Sequence, residues 1–239
     1  MGKMITDIAA NDKAVEIVSG ADIRECGSYP YPVHSSIEEC KEDADVIVDF
    51  SLPESIDTLL DTAIKRKLPI VLCTTGLSDE QLKRVEKASS EIAILRSANM
   101  SVGVNVLLKV LKEVSPVFKA AGFDIEIVEK HHREKKDAPS GTALALAEAV
   151  NSSLETKADF VFDRSERSER RPENEIGISA VRGGTIPGDH DVIFAGEDEV
   201  VTLSHRAYSR AVFAKGAIAA AAFLKGKAPG MYDMSKVVQ

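Results

Sequence analysis

His131 and His132 stand side by side, followed by Arg133, Lys135 and Lys136 and then by Ser140-Gly141-Thr142. An imidazole near its unperturbed pKa can donate or accept a proton at neutral pH. Neighbouring lysines lower that pKa and a bound dicarboxylate raises it again, which makes one histidine a general acid when substrate is present. The small residues Ser140, Gly141 and Thr142 stand where a helix should begin. A helix start offers backbone N–H groups and a partial positive charge, a combination that suits an anion. Lys135 and the histidines deepen that attraction. The expected site is a pocket for a carboxylate-bearing small molecule with an acid–base histidine beside it. A solvated charged loop is the commoner explanation of a charge run, but it ranks second here because the run adjoins paired histidines and a helix start. A metal site is the weaker reading, because adjacent histidines point in different directions and nothing stands at the spacing of a zinc helix. Neither a G-x-S-x-G elbow nor a phosphate-binding P-loop is present, and Ser140 reads as a helix cap rather than a nucleophile. Of the other histidines, His34 reads as exposed in a loop and His205 as partly buried and satisfied, while His190 stays undecided.

These residues need a strand before them and a helix after them. Asp124, Ile125, Glu126 and Ile127 alternate polar and apolar, the period of a strand. Residues 143–150 are rich in alanine and leucine and lack Gly and Pro, as a helix requires. Upstream, the opening Met1-Gly2-Lys3-Met4-Ile5 with Ile8 and Ala9 reads as helix. Strands are expected at 15–19, 45–50, 69–73 and 92–95, and a short helix at 36–42. Capping boxes at 51–54 and 78–81 should open helices running to about Lys67 and Ser89. Strand and helix alternating with short links predict βα units in a doubly wound parallel sheet. Ligands in such sheets sit beyond the carboxyl ends of the strands, here at Asp22, Ser51, residues 74–76 and residues 98–101. Asp22 has the position of a ribose-binding acid, although spacing alone favours a turn or cap, and Asn99 and Ser101 are ambiguous in the same way. A long helix with Val106, Val110, Leu111 and Val114 apolar is expected over 102–118. Short strands at 159–162, 176–181, 191–194 and 200–205 then point to a second, α+β domain. Residues 163–174, with four arginines and four acidic residues, read as a solvated loop. Residues 182–188 read as a turn-rich loop able to close on a ligand. A last helix spans 207–224, and its tail runs to Met234 without a further clear strand.

Length and composition narrow the class. The chain has 239 residues, 44% of them hydrophobic, enough for one large domain or two modest ones. A formal net charge of −8 argues against a nucleic-acid surface, and the positive charge is concentrated locally near residues 130–136. Cys26, Cys40 and Cys73 are scattered and form no CxxC pair, which fits a reduced cytosolic protein without a zinc or disulfide framework. No apolar run reaches transmembrane length and no signal peptide opens the chain.

Residues 129–143, Glu-Lys-His-His-Arg-Glu-Lys-Lys-Asp-Ala-Pro-Ser-Gly-Thr-Ala, resemble the E-x-H-H-x-x-K-x-D-A-P-S-G-T-A stretch of the 4-hydroxy-tetrahydrodipicolinate (dihydrodipicolinate) reductases of lysine and diaminopimelate biosynthesis. Similar matches run through Asp49-Phe50-Ser51, Thr74-Thr75-Gly76, Ala98-Asn99-Met100-Ser101, Arg182-Gly183-Gly184 and Ser204-His205-Arg206. The resemblance implies an α/β fold with a Rossmann-like dinucleotide-binding domain over 1–101 and 212–239. A central α+β substrate-binding and oligomerisation domain would span 102–211. It implies NADH or NADPH as reductant, a cyclic dicarboxylate substrate, a cytoplasmic location and a homotetramer built through the central sheets. By the family's pattern His131 and Lys135 are catalytic, and His132, Ser140, Gly141 and Thr142 hold the substrate. Met1, Gly2, Asp22, Cys73, Thr74, Thr75, Ser97, Ala98, Asn99 and Met100 fall where the family holds its cofactor. Arg24 falls where it would meet a 2′-phosphate, and no metal is implied.

The resemblance fails at the first residues. The family opens with a strand and G-x-x-G-R-M-G, whereas this chain begins at that motif's Met-Gly. The expectation is a sheet without its usually central strand, two unpaired strand edges and a largely lost pyrophosphate cradle. A misassigned start or a shortened chain explains this better than a defective paralogue, because the histidine–lysine stretch is intact. The alternative function is a dicarboxylate-binding or assembly protein without redox activity.

Overall fold

The computed structural model describes residues 1–24 and 27–239, so Cys26 lies outside the described residues. The chain divides into two compact units, residues 1–101 with 211–239 and residues 102–210. The first unit begins with α1 (Gly2–Ala9), β1 (Gly20–Ala21), β2 (Val33–His34), β3 (Ile47–Asp49) and α2 (Ile56–Arg66). β4 (Ile70–Leu72), α3 (Asp79–Ala88) and β5 (Ala93–Arg96) follow. The second unit holds α4 (Val102–Ala120), β6 (Asp124–His131), α5 (Gly141–Ser153), β7 (Asp159–Val161), β8 (Glu175–Arg182), β9 (Asp189–Ala195) and β10 (Val200–Arg206). The chain then returns to the first unit for α6 (Ala211–Leu224) and β11 (Gly230–Tyr232).

In the first unit β11, β5, β4 and β3 form a parallel sheet in that order, and β1 pairs with β2 in a separate parallel ribbon. β4 is buried along its whole length, which is why its sequence is continuously apolar rather than alternating. Ile56, Leu59 and Leu60 of α2 and Val85 of α3 form one core with Ile70, Leu72 and Ile94. Ala217, Ala220 and Leu224 of α6 form another with Val71 and Leu95. Helices on both faces of a parallel sheet make the doubly wound architecture expected. β1, β2, β3 and β11 each have one pairing partner among the described residues, so each is an edge strand.

Several elements differ from the sequence reading. Residues 15–19 make no ladder, and pairing starts at Gly20, because an apolar run becomes a strand only where a neighbour supplies hydrogen bonds. The box at Ser78 and Gln81 closes in both directions and opens α3. The one at 51–54 does not: Pro53–Ser55 form a 3-10 turn, and the Ser51 hydroxyl accepts a bond from the Ser55 hydroxyl, so α2 starts at Ile56. α6 starts at Ala211, not 207, because the Ala207 amide is drawn to the Gly188 carbonyl. The tail carries a strand after all, with β11 adding beside β5.

The second unit is built on a mixed sheet in the order β10-β9-β6-β8-β7. β8 runs parallel to β6 and β7, and β9 antiparallel to β6 and β10. Along β6 every second residue is buried. Ile125 and Ile127 join Leu111 of α4 and Leu146 and Val150 of α5 in the core. The same period of two puts Glu129 and His131 on that buried face. Val106, expected on the apolar side of α4, is exposed. Residues 163–174 are more than a solvated loop. Arg171 bonds to Asp124 and Glu126, Arg164 to Glu126 and Glu175, and Arg167 to Glu175, so the segment is strapped by charge across β6 and β8.

Candidate functional site

The site grows from the end of β6. Glu129 is fully buried, and its Oε2 lies 2.5 Å from Nδ1 of His131. Arg182, at the end of the parallel neighbour β8, grips both carboxylate oxygens at 2.8 and 2.7 Å. The Ser140 amide donates to Oε1 at 2.9 Å. Burial alone would raise the Glu129 pKa, but the bonds from Arg182, His131 and Ser140 outweigh it and hold the carboxyl below its usual range. Burial also has the largest effect on His131 and lowers its pKa. Glu129 pulls the other way, and the charges of Lys135 and Arg182 add to the lowering. Lysine was expected to be the cause, and it is secondary to burial.

α5 starts where the small residues predicted. The Ser140 side chain accepts from the Ala143 amide at 3.1 Å, and its hydroxyl lies 3.0 Å from Nε2 of His190. Ser140 is therefore committed to capping and to the histidine network, and the amides of Gly141 and Thr142 head the helix. A side chain at Gly141 would meet nothing, so that end of the helix is open to a ligand. Lys135 reaches Asp137 at 2.8 Å, and a cis peptide joins Ala138 to Pro139 just before Ser140. His132 is half-buried and donates its amide to the Ile186 carbonyl, which ties the strand end to the 183–188 loop. His132, Arg133, Gly184, Thr185, Pro187 and Arg210 line a depression of about 360 Å³. The loop expected to close on a ligand thus forms one wall of it, and two guanidinium groups and the Glu134 carboxylate border it.

His190, undecided from sequence, is buried. Its ring meets that of His131 edge-on at 5.2 Å, and burial, followed by the charge of His131, pushes its pKa down to about 4. Gly188 has φ +155° and passes so near His131 that a Cβ there would lie 2.9 Å from Nε2. Spacing did not bring forward Glu129, Arg182, His190 or Gly188. A period-two reading of β6 carried two residues back from His131 would have found Glu129, whereas Arg182 and His190 arrive from neighbouring strands and leave no local signal.

The residues expected to hold a cofactor lie in the first unit at the carboxyl ends of parallel strands. Asp22 follows β1 and accepts from the Arg24 amide at 2.9 Å, the turn that spacing favoured. Cys73, Thr74 and Thr75 follow β4, and the buried Thr74 hydroxyl bonds to Asp49 at 2.5 Å. Burial raises the pKa of the Cys73 thiol, so it stays protonated. Ser97, Ala98, Asn99 and Met100 follow β5. Asn99 Oδ1 accepts from the Ser101 amide, and the Met100 side chain is packed in the core. Met1 and Gly2 open α1, whose first turn has no side-chain cap, and a Cβ at Gly2 would meet nothing. His34 is half-buried on β2, not exposed in a loop, and bonds to Glu42 at 3.2 Å, with the Cys40 thiol nearby. That thiol is held by the Gly20 and Ser36 carbonyls and its pKa is raised by burial, so the group is satisfied without an ion.

The family models described as the N-terminus and the C-terminus of dihydrodipicolinate reductase match residues 1–100 and 103–238. A 4-hydroxy-tetrahydrodipicolinate reductase of Caldanaerobacter subterraneus subsp. tengcongensis is 54% identical over 239 residues, covering 100% of this chain and 94% of that protein. One from Clostridium tetani is 47% identical over 98% of this chain and 91% of its own length. The solved structure of a dipicolinate-bound dihydrodipicolinate reductase from Paenisporosarcina sp. TG-14 has the same fold, with a TM-score of 0.79 at 22% identity, over 98% of this chain and 94% of that one. With the two family models matching residues 1–100 and 103–238 and a relative 54% identical over 239 residues, this chain belongs to the dihydrodipicolinate reductase family.

Proposed function

We propose that this chain reduces 4-hydroxy-tetrahydrodipicolinate, by way of dihydrodipicolinate, to tetrahydrodipicolinate in diaminopimelate and lysine biosynthesis. The observation that carries this reading is a buried imidazole held by an ionised carboxylate next to an open helix start, in a chain of this family. A bound nicotinamide dinucleotide supplies the hydride. The residues present fit such a group: Cys73 to Thr75 and Ser97 to Met100 follow neighbouring parallel strands at their carboxyl ends, Asp22 follows β1 in its own parallel ribbon, and the first turn of α1 at Met1 and Gly2 is uncapped. Gly141 and Thr142 would hold one substrate carboxylate by their amides, and His132 the other. His131 or Lys135 gives the proton that balances the incoming hydride. To do so Lys135 exchanges its exposed partner Asp137 for the substrate.

The finer points of the reading are NADH or NADPH as the reductant, with Arg24 beside Asp22 to meet a 2′-phosphate, a cytoplasmic location and a homotetramer. The face of the central sheet that carries Glu126, Val128 and Lys130, opposite α4 and α5, supports the last of these.

The test follows oxidation of NADH and of NADPH with freshly prepared substrate. His131→Ala and Lys135→Ala should each lower kcat by about 100-fold or more. Unchanged turnover in both variants rejects the role assignment.

A further inference from the structure

The carboxylate of Glu129 is filled on every side. Oε2 accepts from His131 Nδ1 and Arg182 Nη1, and Oε1 accepts from Arg182 Nη2 and the Ser140 amide. Three parts of the chain therefore meet on one group with no exposure to solvent: the strand that carries His131, the end of β8, and the residue that caps α5. A carboxylate buried this deeply stays ionised only if its lone pairs are occupied, and here they are.

An ionised carboxylate can only accept hydrogen bonds. Nδ1 of His131 must then carry hydrogen, and Nε2 is left as the nitrogen that exchanges a proton. Nε2 is also the atom over which Gly188 passes, and a side chain at that position would crowd it. We infer that Glu129 is the positioning residue of the proton transfer: it fixes the tautomer and tilt of His131, and through the Ser140 amide it holds that ring in register with the start of α5, where the substrate carboxylate would lie. Arg182 keeps Glu129 charged and in place. This rests on the proposed function, in which His131 serves as the acid.

The charged and titratable groups around the ring are Glu129 on its own strand, Lys135 on the turn that follows, Arg182 on β8 and His190 on β9. Of these only Glu129 favours the imidazolium. Removing its charge leaves burial and two cations unopposed, so His131 should hold its proton only at lower pH.

The experiment compares wild type with Glu129→Gln, Glu129→Asp and Arg182→Lys. The pH dependence of kcat/KM is measured together with the ¹⁵N resonances of His131 in the protein without substrate. In the wild type the neutral ring should be protonated at Nδ1. Glu129→Gln should lower kcat about tenfold or more, move the His131 limb of the pH profile to lower pH and shift the ring toward a mixture of tautomers. Glu129→Asp keeps the charge at a longer reach and should recover part of both. Should Glu129→Gln fail to fold, Arg182→Lys carries the same test, because it loosens the carboxylate while leaving Glu129 beside His131. An unshifted pH profile with an unchanged His131 tautomer in the folded variants overturns the inference and leaves the proposed function standing. Unchanged turnover in both His131→Ala and Lys135→Ala would instead reject the role assignment of the proposed function.

Discussion

At the scale of single residues, the network around His131 differs from a generic anion pocket in being buried and crowded. His190 is the clearest consequence. The folded chain keeps its ring neutral down to about pH 4, chiefly through burial, whereas the unfolded chain protonates it near 6.5. Its pKa is therefore depressed on folding, and the stability it contributes is complete above about 6.5 and is lost as pH falls through about 4. Buried carboxylates with lowered pKa values, such as Glu129, weaken the fold in the same direction on acidification, so the histidine must be isolated by difference. Urea unfolding of wild type and His190→Gln at pH 7 and pH 4.5 should show wild type losing more stability between the two. The excess should be on the order of 2 kcal/mol, and equal losses would mean that the ring is already protonated in the fold.

At the scale of elements, short-range chemistry set some boundaries and long-range contact set others. The box at Ser78 is local, since two side chains and two amides three residues apart satisfy each other. The similar letters at 51–54 fail because Pro53 and the Ser51–Ser55 bond recruit the same groups for a tighter turn. Gly216 is a long-range case, because α6 crosses so near the chain at Met100 that a Cβ at 216 would strike the Met100 carbonyl. These two kinds of constraint should differ in size. Ser78→Ala should cost about 1 kcal/mol, while Gly216→Ala should cost about 3 kcal/mol or more, because backbone cannot yield as a side chain does. Denaturant titrations of both variants check the ranking, and comparable losses would show that α6 can move away.

At the scale of the whole molecule, the two units are assembled differently. The first is a parallel sheet covered on both faces by α2, α3 and α6. The second packs α4 and α5 against one face of a mixed sheet, and the opposite face carries Glu126, Val128 and Lys130 with partly exposed side chains. A face of that kind is what the proposed homotetramer would cover. Light scattering coupled to size exclusion should give a mass four times 25.8 kDa, and Val128→Glu should lower it without altering the far-ultraviolet spectrum. A single-chain mass for the wild type would reject the assembly.

The residues proposed to do the chemistry were legible because their signals are local. Paired histidines, a lysine and a Ser-Gly-Thr helix start lie within a dozen positions, and periodicity is enough to put a strand before them and a helix after them. The doubly wound order of the first unit was legible for the same reason, since strand and helix alternate with short links. What tertiary structure alone decided is the environment of those groups. Glu129 gains its partners from β8 and from the cap of α5, and His190 reaches His131 from β9. β11 becomes a strand only beside β5, and residues 163–174 become a strap only over the acids of β6 and β8. Helix caps and strand periods are written in a few consecutive side chains. Burial, ion pairing and the pairing of short strands depend on residues brought together from distant parts of the chain.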